Sequence, residues 1–96
     1  MENLFLISLN IKTKSGFEPY VNYNLGKNED KAKAIFNQLK GSLELSEKTI
    51  FTMDFTEMKE GIALPIKMLD CTFNQIIDNT KIITCEIFKN LNLESE

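Results

Sequence analysis

The 96-residue sequence predicts an α+β fold, a two-layer sandwich of order ββα-ββα with two helices on one face of a four-stranded antiparallel sheet. Three observations carry this expectation. Four stretches alternate apolar and polar residues with a period of two, two stretches repeat apolar residues at helical spacing, and Gly16, Gly26, Gly41 and Gly61 fall between them as punctuation. With 43% hydrophobic residues, a single domain spanning residues 1–96 can bury roughly two-thirds of its unfolded surface without a disulfide or metal staple.

The first element is LFLISLNIKT, residues 4–13, in which Phe5, Ile7, Leu9 and Ile11 share one face and Leu6, Ser8, Asn10 and Lys12 the other. Ser15-Gly16 turns the chain, and beyond Pro19 the run YVNYNL directs Val21, Tyr23 and Leu25 inward and Tyr20, Asn22 and Asn24 outward. Asn28, followed by Glu29-Asp30, starts a helix over residues 29–40 whose apolar face is Ala32, Ile35, Phe36 and Leu39, stopped by Gly41. After the polar SLELSEK linker, TIFTMDFTEM sets Phe51, Met53 and Phe55 against Thr52, Asp54 and Thr56. Gly61 turns this third strand into IALPIKML, where Ile62, Leu64, Ile66 and Met68 share a face and leave Lys67 and Leu69 on the other. Pro65 cannot donate to a ladder, so the fourth strand belongs at an edge.

The stretch CTFNQIIDNTKIITCEIF, residues 71–88, reads as a hairpin turning at Asp78-Asn79 or as one helix. The hairpin would set Cys71 opposite Cys85 as a disulfide or soft-metal pair. The helix would hold them about 20 Å apart along its axis, beyond the roughly 7 Å limit for bridged Cα atoms. Periodicity selects the helix. Phe73, Ile76, Ile77, Thr80, Ile83, Thr84, Ile87, Phe88 and Leu91 fall within an arc of roughly 140°, with Asn74, Gln75, Asp78, Asn79, Glu86 and Lys89 outside it and only Ile82 and Leu93 misplaced. Thr72 and Gln75 have capping-box spacing, with Cys71 and Ile76 in the staple positions. The expectation is a helix over residues 72–91, with Cys85 semi-buried and both thiols free.

Each half is thus a hairpin with Gly at its turn and Pro shortly after, followed by a helix, a loose internal repeat. Strand order 2-1-3-4 keeps every neighbour antiparallel and Pro65 on an edge. The rival order 1-2-4-3 would bury the Pro65 strand.

Composition narrows function. The chain has no histidine, arginine or tryptophan, so it lacks the usual acid/base residue near neutral pH, the usual partner of a Ser or Cys nucleophile and the commonest metal ligand. Asp54, Glu57 and Glu60 do not converge on a strand, because Asp54 and Glu57 point to opposite faces. Gly26-Lys27 lacks the rest of a phosphate loop. Cys71 before a helix start could be a nucleophile, but no His or Arg supports it, and a small apolar staple is the plainer reading. The sequence therefore predicts no enzyme, no cofactor and no metal. Eleven lysines against fourteen carboxylates, with no Arg fork for guanine or phosphate, argue against nucleic acid. Leu4 to Ile7 is too short for a membrane span, and acidic Glu2 with no cleavage site argues against a leader, so a cytoplasmic, reducing setting is expected.

What remains is the sheet face away from the helices. It should present Ser8, Asn10, Tyr20, Asn22, Asn24, Thr52, Asp54, Thr56 and Lys67, neutral polar groups for the most part, together with the outward aliphatics Leu4, Leu6, Ile50 and Leu69. A solvated face explains the polar set; the four aliphatics are more than such a face needs. The sequence points to a small interaction or regulatory module that self-associates as a dimer through this face or an edge strand, with another protein as a possible partner. The alternative is a small-molecule domain using the polar set.

Overall fold

The computed structural model describes the backbone of residues 3–94 and side chains up to residue 89; Leu91 and Leu93 lie outside the described side chains. Strands β1 (Leu4–Thr13) and β2 (Gly16–Gly26) precede helix α1 (Glu29–Phe36), and β3 (Phe51–Lys59) and β4 (Ile62–Cys71) precede helix α2 (Phe73–Glu94). The sheet is antiparallel in the order β2-β1-β3-β4. Alternation does what the period of two requires. Phe5, Ile7, Leu9, Met53 and Phe55 are buried on one face, in a single core with Ala32, Ile35 and Phe36 of α1 and Ile76 and Ile83 of α2. Phe55 is its centre, its ring 6.0 Å from Phe5 and 5.2 Å from Phe36 between centroids.

The helices begin where their caps place them. Asn28 accepts the Lys31 amide at 3.0 Å, and Thr72 and Gln75 form a reciprocal box, Gln75 N–H to Thr72 Oγ1 at 3.2 Å and Thr72 N–H to Gln75 Oε1 at 2.9 Å. Helix α1 is shorter than residues 29–40. Its end tightens into three-residue turns, Gln38 N–H to Ile35 O and Leu39 N–H to Phe36 O, before the chain departs across β4.

The two hairpins match in register from Leu6 and Thr52 onward, and differ only where β2 carries a further shift between Phe5 and Leu6. Each residue of β3–β4 lies 46 beyond a counterpart in β1–β2, as Phe5 and Phe51, Leu9 and Phe55, or Pro19 and Pro65. Both outer strands carry a bulge at the same place: Leu9 and Asn10 pair with Val21 and Pro19, skipping Tyr20, while Phe55 and Thr56 pair with Lys67 and Pro65, skipping Ile66. Proline offers no N–H to the ladder, and the following residue is the one left unpaired.

The bulge corrects one expectation. One extra residue reverses the facing of everything beyond it, so Leu69 turns to the helices opposite Met53 and is buried, and Lys67 lies opposite Phe55 on that same side. Neither belongs to the open face. The predicted inward set Ile62, Leu64, Ile66 and Met68 is instead exposed and split by the bulge: Ile62 and Leu64 pair with Lys59 and Glu57 on the helix side, while Met68 pairs with Asp54 on the open side.

Helix α2 is rotated from the predicted arc. Ile76, Asn79 and Ile83 form its buried stripe, whereas Phe73, Ile77, Thr84 and Phe88 are exposed. Cys85, expected to be semi-buried, is exposed too. The reason is backbone. Between α1 and β3 the chain crosses beneath α2, and Asn79 takes both peptide groups of Lys40, accepting its N–H at 2.8 Å and donating to its C=O at 2.8 Å. A buried peptide pair needs such partners, and this one draws an amide side chain to the centre of the helix's inner face.

Candidate partner surface

Segment 41–50 governs what β4 exposes. A Cβ on Gly41 would lie 3.0 Å from Asp70 O and 3.1 Å from both Cys71 Sγ and Leu69 Cβ, so only glycine lets the chain pass this closely over the helix side of β4. Ser42 then pairs with Asp70 in both directions along the outer edge. Thr49 Oγ1 donates to the Asp70 carboxylate at 2.9 Å, and Lys12 Nζ donates to Glu47 O at 3.1 Å, tying the return of the segment to the opposite side of the sheet. The chain wraps the C-terminal end of β4 and leaves the edge from Ile62 to Met68 uncovered.

That free edge is apolar. Leu43, Leu45, Pro65, Ile66, Lys67 and Met68 line a shallow groove of about 350 Å³ along it. Leu43 is 67% exposed and Ile62 61%, values at which a large aliphatic contributes little to the fold itself. The counterpart edge, β2, presents Glu18 where β4 has Leu64, Tyr20 where it has Ile66 and Asn22 where it has Met68.

The polar face predicted from sequence is assembled, but largely satisfied within itself. Ser8 Oγ donates to Asn22 Oδ1 at 2.6 Å, Asn10 Nδ2 to Thr52 Oγ1 at 3.3 Å, and Asn24 Oδ1 accepts the Gly26 amide at 2.8 Å. Thr52 and Thr56 are buried between neighbouring strands, and Tyr20 projects from its bulge, 73% exposed. Asp54 is the exception. It lies opposite Ser8 and beside Met68, its Oδ1 is buried without a partner, and burial raises its carboxyl above the ordinary carboxylate range against hydrogen bonding from Thr52 and Asn10. Of the aliphatics assigned to this face, Leu4 and Leu6 are half-buried, Ile50 is exposed, and Leu69 is in the core.

The thiols are free and differ in setting. Cys71 lies in the core against Asn79 Nδ2 at 3.6 Å, and burial, with the charge of Asp70, pushes it up to about 11. A thiol held neutral there is a poor nucleophile. Among the described residues no three acidic, His or Cys side chains gather where a metal ion could be held, and no helix is long and apolar enough to cross a membrane.

The sequence placed β4 at an edge but did not reveal the exposure of its aliphatics, nor the outer stripe of α2. Pro65 was compatible with a bulge and hence a change of facing, but the alternation around it did not mark where the slip falls. Nothing in the local pattern marked Asn79 as the partner of a crossing backbone. No protein-family description, curated protein or solved structure matches this chain.

Proposed function

We propose that this chain is a non-enzymatic protein-interaction module that self-associates through the free edge of β4. One observation carries the reading: of two edges with the same proline bulge, β4 exposes four large hydrophobics, Ile62, Leu64, Ile66 and Met68, where β2 exposes two, Phe17 and Tyr20. Because β2 performs the same structural role with Glu18, Tyr20 and Asn22, the fold does not require Leu64, Ile66 and Met68 at an edge. Edge strands ordinarily carry charge to prevent pairing, and β4 has only Lys67 between Ile62 and Met68. Taking a large aliphatic fully out of water contributes about 1.5–3 kcal/mol, and several together offset part of the cost of association. The matched bulges also support a tandem ββα duplication in which the second edge diverged toward binding.

A second reading rests on Asp54. Its unpartnered oxygen could accept a donor from a small molecule on the open face. The cross-strand bonds of Ser8, Asn10, Asn22 and Thr52 leave few other free groups to fix such a ligand, which favours the first reading. Sedimentation velocity across the micromolar range tests the choice: a concentration-dependent dimer that Ile66→Lys abolishes supports self-association, and a monomer throughout removes it.

A further inference from the structure

We infer that two copies join β4 to β4 antiparallel about a two-fold axis passing between Pro65 and Ile66, making one continuous eight-stranded sheet; this rests on the self-association proposed above and specifies its geometry. The free edge is bounded at both ends. The Glu60-Gly61 turn closes it on one side, and the two-way bridge of Ser42 with Asp70 closes it on the other. Only the residues between are open to a new strand.

Facing then fixes the register. Residues directly opposite each other in an antiparallel pair share a face. Ala63 and Met68 are both on the open side, opposite Met58 and Asp54 of β3, while Leu64 and Lys67 are both on the helix side, opposite Glu57 and Phe55. Across the axis, Ala63 of one copy therefore meets Met68 of the other, Leu64 meets Lys67, and Pro65 meets Ile66. No neighbouring shift by one residue satisfies these facings, because it would oppose open-side to helix-side residues. The pairing also places no two like charges opposite each other, since Lys67 is the only charge in the segment and falls against Leu64.

Why a second β4, rather than another edge, follows from charge and closure. The other free edge of the molecule is β2, whose Glu18 and polar Asn22 would lie along the apolar groove. A β4-to-β2 contact is also head-to-tail, leaving a free β2 and a free β4 at the two ends and continuing into a filament, whereas β4-to-β4 closes as a dimer. Leu43 and Leu45, standing beside the edge, would then line a groove closed from above by the second copy.

The test is a cysteine pair in the full chain, Ala63→Cys with Met68→Cys, in a Cys85→Ser background. Both positions are exposed, so the fold tolerates them. Within one chain they are five residues apart on a strand, too far to bridge. Mild oxidation should convert the protein to a covalent dimer that reduction reverses, while the matching control pair on β2, Phe17→Cys with Asn22→Cys, should stay monomeric. Hydrogen exchange of the wild type should show amides of residues 62–68 gaining protection as concentration rises, with β2 unchanged. A wild-type dimer with no cross-link and no added β4 protection overturns this geometry while leaving self-association standing. A wild-type monomer overturns both, and filaments overturn the closed pairing in favour of β4 on β2.

Discussion

The two hairpins of this molecule have the same architecture and opposite surfaces. Pro19 and Pro65 sit at matching positions, each followed by a bulged residue, so the backbones of β2 and β4 solve the same problem in the same way. Their outer side chains do not: Glu18, Tyr20 and Asn22 answer Leu64, Ile66 and Met68. One edge thus serves as an internal control for the other. What is common to both reflects the demands of the sheet, and what differs is available for recognition.

The helices differ for another reason. Counting from their caps at Asn28 and Thr72, the buried Ile35 of α1 corresponds to the buried Asn79 of α2. The same inward position holds an aliphatic where the helix meets only side chains and an amide where it meets the crossing peptide of Lys40. This asymmetry is structural, and it can be separated experimentally from the asymmetry of the edges.

The largest expected effect follows from that pair. Asn79→Leu keeps volume but strands the N–H of Lys40 and leaves its C=O only the Cys71 thiol, 3.4 Å away, so at about 1–3 kcal/mol for a buried unpaired group urea unfolding should show a loss of about 2–4 kcal/mol. Ile35→Leu at the matching position should cost under about 1.5 kcal/mol. Equal losses at the two sites would mean that Asn79 is not what satisfies the crossing peptide. Next in size, Gly41→Ala should cost about 1–3 kcal/mol, because its methyl group would press on the backbone oxygen of Asp70, which cannot move without breaking the Ser42 bridge.

Thiol chemistry offers a sharper contrast within the second half alone. At pH 8 iodoacetamide should label exposed Cys85 readily and leave Cys71 unmodified until the chain unfolds, since Cys71 is both covered and held neutral to about 11. Labelling of both at similar rates would show that the Lys40 crossing opens often.

The smallest effect concerns the point where β1 and β3 face each other, where Ser8 has Asp54 as its counterpart. Burial raises the Asp54 carboxyl in the folded state, so it favours folding only while protonated and loses that contribution as pH rises through its folded value. Asp54→Asn should therefore stabilise the protein at pH 7 by a few tenths of a kcal/mol, modest because the site is part-exposed, and the gain should vanish below the ordinary carboxylate range. A gain that persists at pH 3 would point to packing instead of charge.

Most of the architecture could be read from the chain because it is written in local periods. The alternation of Phe5, Ile7 and Leu9 and of Phe51, Met53 and Phe55, the caps at Asn28 and Thr72, and the edge preference of Pro65 suffice for all six elements and the strand order. The neutral polar face was legible for the same reason. What was not legible depends on contacts distant in sequence. Leu69 and Lys67 face the helices because a bulge shifts the period, and a period of two read through Pro65 carries no sign of the slip. Asn79 is buried because Lys40 passes under it, 39 residues away, so an apolar arc computed from α2 alone points toward Phe73 and Phe88, which the structure leaves exposed.

If the β4 edge, and not its twin, is the binding surface as proposed, charge placed on it should act where the same charge on β2 does not. Sedimentation equilibrium of the wild type should be compared with Ile66→Lys/Met68→Lys on β4 and Tyr20→Lys/Asn22→Lys on β2, pairs that add the same charge at matching exposed positions. The wild type should form a reversible dimer, unaffected by the β2 pair and weakened at least about tenfold by the β4 pair, corresponding to about 1.4 kcal/mol or more of lost association energy. A monomeric wild type, or equal weakening by both pairs, would contradict the proposal.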